Sequence, residues 1–125
     1  MTTCRFVQLF GVIYSMMGLI GTLVQSAPAS ALLFSFHLII GIWAILASQH
    51  RVSAIRFSRK AAVLFSLFAL VELHLPFPAL FLAWSPVGSD VLIVHLTTAL
   101  VAAYYGYYWT DAVMEADHRQ PIRTA

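Results

Sequence analysis

Two histidines stand in stretches with almost no other polar chemistry. "FHLIIGIW" (residues 36–43) carries His37, and "IVHLTTAL" (residues 93–100) carries His95. A neutral imidazole offers one nitrogen lone pair, which suits either a metal ion or a single interhelical hydrogen bond. Glu72 and Asp90 are the acidic residues closest to these segments. Together His37, His95, Glu72 and Asp90 form a candidate ligand set. Imidazoles in such a set fit zinc, copper, haem iron or the magnesium of a chlorophyll. Gly41 and Ala99 follow the histidines by one helical turn and would leave space for a flat macrocycle. Haem is the less favoured of these, because no Arg or Lys lies on the same side to meet its propionates.

The solvent follows from composition. Apolar residues make up 61% of the chain and charged residues 10%, with a mean hydropathy of +0.85, whereas soluble domains are about a quarter charged. No Asp, Glu, Lys or Arg occurs from residue 6 to residue 50 or from 91 to 110, and between Lys60 and Asp90 Glu72 stands alone. A span needs about 20 apolar residues. The pattern predicts an all-α, polytopic membrane protein: one domain, residues 1–125, with four transmembrane helices at about residues 6–25, 31–48, 61–83 and 91–110. Pro28 reads as the breaker after the first span and Ser30 as the N-cap of the second. Pro76 and Pro78 end or kink the third, and Ser89 or Asp90 caps the fourth. "SAPASA" imitates a signal-peptide cleavage site, but the apolar run before it is too long for one, so it reads as a retained span.

All seven Lys and Arg fall at the N-terminus, between the second and third spans, or in the C-terminal tail. The positive-inside rule then expects a multi-pass protein of the bacterial inner (plasma) membrane with both termini cytoplasmic. Tyr104, Tyr105, Tyr107, Tyr108 and Trp109 form an aromatic belt at the inner face, and Trp84 marks the outer one. The sequence pI near 9.0 reflects this anchoring and does not point to nucleic acid. His37 and His95 fall in the outer half of the bilayer, on stripes of small residues (Gly41, Ala44, Ser48 and Ala99, Ala102, Gly106). Gly11, Ser15, Gly18, Thr22 and Gln25 continue the pattern in the first span, and Ala62, Ser66 and Ala69 in the third. Small residues let helices approach closely in lipid, so the two histidines are expected to face inward and toward each other. Glu72 is assigned inward. His74 is assigned outward, toward lipid, the water interface or a partner chain, which would be a homo-oligomer or a larger membrane complex.

"RFVQLFG" and "KAAVLFS" open the first and third spans, while "HLIIG" and "HLTTA" sit at matching places in the second and fourth. This suggests two duplicated helical hairpins with a pseudo-axis along the membrane normal. The stretches "LFGVIYSMMGLIG", "FHLIIGIWAILAS" and "SPVGSDVLIVHL" resemble a family of small bacterial four-span membrane proteins that carries no established activity. Gly11, Tyr14, Gly18 and Gly21 match its first helix; His37, Asp90 and His95 match its second and last. Glu72, His74 and the prolines of the third span depart from it. The resemblance implies architecture only.

Three functions compete at this level. The first is a cofactor or metal site on the histidine pair. The second is an accessory subunit whose histidines merely pack, bonded to Ser15, Thr22 or Ser66, with Asp90 as a cap and Met16 and Met17 as core filler. The third is a small proton-coupled transporter, ranked last because four short spans leave little room for a pathway. No nucleophile, base and oxyanion-binding group come together, so no enzymatic activity is assigned. The orientation has a direct test. A membrane-impermeant thiol reagent should leave the solitary Cys4 unlabelled in intact cells and label it after permeabilisation; labelling from outside would invert the topology.

Overall fold

The computed structural model describes residues 2–24, 28–74 and 88–109. It contains four α-helices: α1 (Thr3–Val24), α2 (Pro28–Ala47), α3 (Arg51–His74) and α4 (Gly88–Ala103), the last continued by a π-helical segment, Tyr104–Tyr108. There is no strand among the described residues. Pro76, Pro78, Trp84, Gln25 and His118 lie outside the described residues, as do the side chains of Glu72, His74 and Asp90.

Helix ends depart from the sequence expectations for identifiable reasons. Thr2 caps α1, its Oγ1 accepting from the Arg5 amide at 3.4 Å and its carbonyl from Phe6 at 3.0 Å. Pro28 does not break the chain into α2; it is the first residue of that helix, where a missing N–H costs nothing. Ser30 therefore sits within the first turn and does not cap it. Ser89 and Asp90 likewise fall inside the first turn of α4, which begins at Gly88. An acidic residue still belongs there, at the positive end of the helix dipole. The largest difference concerns α3, which starts at Arg51, ten residues before the expected span. The basic cluster Arg51, Arg56, Arg59 and Lys60 is thus helical, as befits good helix formers without a Gly or Pro among them. Only Ser48–His50 connect α2 to α3. Ser48 Oγ donates to Ile45 O at 2.7 Å, and His50 O accepts from Ala54 N at 2.9 Å to start the next helix.

The bundle buries small residues together with an aromatic core of Phe6, Phe10, Tyr14, Phe57 and Phe65, and turns many large aliphatic residues outward. α1 meets chiefly α2, and α3 meets chiefly α4. Between α1 and α2 the backbones almost touch: a Cβ added to Gly41 would lie 2.5 Å from Ser15 Oγ and 2.8 Å from Gly11 O. One added to Gly18 would collide with the Leu38 backbone, and one at Gly21 with the Phe34 ring. The stripes expected on α1, α2 and α4 are buried or half-buried in their described parts, with Ala44 and Ala102 fully enclosed. The α3 stripe is different. Ser66 is exposed, and its place is taken by Phe65, with Ala54, Phe57, Ala61, Ala62 and Ala69 completing the buried face. Met16 also faces outward, while Met17 packs against the core.

Residues at matching places in the sequences of the two hairpins meet at the centre. The Phe10 and Phe65 rings are 5.9 Å apart, and those of His37 and His95 6.5 Å. Among the described residues one helix, α1, is long and apolar enough to cross a membrane; the described apolar part of α2, Phe34–Ala47, is shorter.

Packing this tight predicts a steep cost for added bulk. Gly41→Ala should destabilise the folded chain by about 1–3 kcal/mol in an unfolding titration, the usual overpacking range. Leu100→Ala, at a position 64% exposed, should change stability by less than about 0.5 kcal/mol. Equal effects would mean that the α1–α2 contact is not close.

Candidate paired-histidine site

His37 projects from the middle of α2 and His95 from the second turn of α4, and both are buried. Each lies on a face otherwise made of Gly and Ala, so no bulk separates the two imidazoles. Their ring centroids are 6.5 Å apart and their planes 15° from parallel. Edge to edge, that separation keeps the nearest nitrogens at least about 4 Å apart, too far for a direct hydrogen bond. One ion bridges two nitrogens at metal–nitrogen distances of about 2.0–2.1 Å only at that lower limit, so the pair would hold a metal with its rings turned edge to edge.

Aromatic rings wall the pair on two sides. Tyr14 stacks on His37 at 5.5 Å, and Phe65 lies 5.5 Å from His95 and 5.4 Å from Tyr14. Opposite, Phe36 stands 6.3 Å from His37, Phe68 5.5 Å from His95, and these two are 5.7 Å apart. Phe10 stacks under Tyr14 at 4.2 Å, extending a column of near-parallel rings from Phe10 through Tyr14 and His37 to His95. The Tyr14 hydroxyl and Thr98 Oγ1 are hydrogen-bonded at 3.0 Å, tying α1 to α4 one turn from His95.

The three residues expected to bond packing histidines differ in their surroundings. Thr22 donates to Gly18 O of its own helix at 2.7 Å, and Ser66 faces outward. Ser15 Oγ is buried against Gly41 and has no hydrogen-bond partner among the described residues. The tetrapyrrole expectation also meets an obstacle. The space beyond Gly41 is filled by the α1 backbone. A macrocycle between the imidazoles would have to part the Tyr14–Phe65 and Phe36–Phe68 walls. The packed site does not fit it.

Glu72 and Asp90 sit by backbone position in the last turn of α3 and the first turn of α4, toward the same end of the bundle as the histidines. Their side chains lie outside the described ones, and among the described residues no three His, Cys, Asp or Glu side chains converge. The aromatic walls were not anticipated from sequence, although Phe10, Tyr14, Phe65 and Phe68 recur at helical spacing on the faces they occupy.

No known protein family, curated protein or solved structure matches the chain.

The tyrosine tie has a measurable strength. In a Tyr14→Phe and Thr98→Val double-mutant cycle, the coupling should be about 0.5–1.5 kcal/mol. A coupling indistinguishable from zero would show that the two hydroxyls do not pair.

Proposed function

We propose that the chain is a small multi-pass membrane bundle whose His37 and His95 hold one transition-metal ion near the non-cytoplasmic end. The observation that carries this reading is the 6.5 Å separation of two buried imidazoles on facing helices. Each ring has two nitrogens, so one can be oriented by a hydrogen bond while the other coordinates. With two imidazoles as the described donors, copper(I), which tolerates low coordination, is favoured over zinc, which fills four positions. Zinc would need Glu72 and Asp90 to complete the set.

Membrane insertion across all four helices rests on what the bundle presents outward. Leu9, Ile13, Leu19 and Leu23 of α1 are exposed, as are Ile39 and Leu46 of α2, Val63, Leu67 and Leu70 of α3, and Ile93, Leu96 and Leu100 of α4. A bundle in water would carry charge on those faces; here large aliphatic side chains cover an interior of small and aromatic residues, an arrangement suited to lipid. The basic residues of the described helices gather at the end where α1 begins and α2 ends, which supports a cytoplasmic position for that end. The match of Gly11, Tyr14, Gly18, Gly21, His37, Asp90 and His95 supports kinship with small bacterial four-span proteins.

A second reading is favoured by the closed aromatic walls: the imidazoles are then packing groups in an accessory subunit of a larger membrane complex. Metal analysis separates the two. The chain purified from copper- and zinc-supplemented cells should carry close to one metal ion. His37→Ala and His95→Ala should each abolish it, and the double variant should be no worse. Absence of metal in the wild type, with Asn tolerated at both positions for about 1 kcal/mol, would select the packing role.

A further inference from the structure

At the opposite end from the histidines, a groove of about 520 Å³ runs along the outward face of α3 between Trp43 of α2 and Tyr107 of the π-helical segment. Its floor is apolar, with Val63 and Leu67 63% and 55% exposed. Its mouth holds two neighbouring cations. Arg59 lies with Cζ 4.9 Å from the centre of the Tyr107 ring, and its Nε donates to Gly106 O at 2.7 Å. Lys60 places Nζ 5.6 Å from the centre of the Trp43 ring.

This arrangement is built by the fold. In the π-helical turn Trp109 N donates to Tyr104 O, and the Gly106 carbonyl accepts from Arg59. Gly106 lets α4 press on α3, since a Cβ there would be 3.0 Å from Arg59 N. The Arg59 bond fixes the guanidinium through one nitrogen and leaves its two terminal amino groups as donors. The acidic residues on the described helices, Glu72 and Asp90, stand at the far ends of α3 and α4, roughly 20 Å along the axes from these cations. Trp43, Tyr107 and Tyr108 mark the level of the membrane interface, as aromatic residues do.

Resting on the membrane reading above, we propose that this groove binds an anionic phospholipid of the cytoplasmic leaflet. The phosphodiester sits between Arg59 and Lys60, and one acyl chain lies over Val63 and Leu67. A guanidinium offers paired donors to phosphate oxygens, an ammonium adds a point charge, and the apolar floor continues in the direction of the chain. Juxtamembrane basic pockets between helices recognise lipid headgroups by this chemistry.

Phosphatidylglycerol and phosphatidylcholine are the probes, added to the delipidated full-length chain in detergent. Phosphatidylglycerol should raise the Tm and be retained through purification, and phosphatidylcholine should do neither. Lys60→Gln should cut retained phosphatidylglycerol about fivefold, the effect expected of one basic group at an anionic surface. Arg56→Gln removes the same charge from an exposed position outside the groove and should leave retention unchanged. Arg59→Gln should lower retention too, but it also removes the Gly106 bond, so Lys60→Gln is the decisive variant. Equal losses in Lys60→Gln and Arg56→Gln, or equal retention of both lipids, would overturn the site. A dimer that dissociates in Lys60→Gln without any change in lipid would also overturn it, in favour of a second copy. The membrane reading fails separately, if alkaline carbonate releases the chain from membranes.

Discussion

The close approach of α1 and α2 at Gly11, Ser15 and Gly41 is the constraint from which the centre of the bundle follows. With no Cβ on Gly41, the Ser15 hydroxyl lies against its backbone, and Gly18 accepts Leu38 in the same way one turn further on. Helices this near bring Tyr14 onto His37, and Tyr14 in turn reaches Thr98 on α4. On the proposed membrane reading no hydrophobic force pulls the helices together, and dispersion across such contacts and a few hydrogen bonds would hold them. The glycines therefore do more than permit contact. They set the spacing at which every ring around the histidine pair is placed.

The second hairpin solves the same problem with different residues. α3 lacks the glycines of α1 and presents Phe57, Phe65 and small alanines inward, so its contact with α1 is aromatic. Phe10 meets Phe65 edge-on at 5.9 Å, and Phe6 stacks on Tyr105 at 4.5 Å. The two ends of the bundle are chemically distinct as a result. One end gathers Arg, Lys, Tyr and Trp around the π-helical turn, where Tyr105 O accepts from Thr3 and Gly106 O from Arg59. The other carries the imidazoles and, by helix position, both described acidic residues.

Much of this was legible in the sequence because small residues at helical spacing mean one thing in a chain so apolar. The stripes through His37, His95 and Gly18 needed only the 3.6-residue period and the rule that lipid-embedded helices bury what is small. Ser66 failed the same rule. A serine is small, but one residue away Phe65 could fill the gap that α1 leaves, and a large ring in the core outweighs a small contact. α3 begins ten residues before the apolar stretch because Arg and Lys extend a helix beyond the apolar zone. Pro28 misled in a related way, since it breaks a helix interior but opens a first turn. The space read beyond Gly41 was real, but the neighbouring helix takes it. Sequence shows that a position is small, not what fills the space. The π-helical turn at "YYGYY" carries no signal of its own in the sequence; its Tyr105 and Gly106 carbonyls accept from Thr3 on α1 and Arg59 on α3, both distant in sequence.

The central claim is that two imidazoles face each other in the interior of a bilayer-embedded bundle. Dipolar-recoupling solid-state NMR on ring-labelled histidine, in lipid bilayers and with His50, His74 and His118 replaced by Gln, measures this directly. The account predicts a ring-to-ring separation near 6.5 Å between His37 and His95. Couplings too weak to detect, with either ring instead in contact with lipid chains, would contradict it.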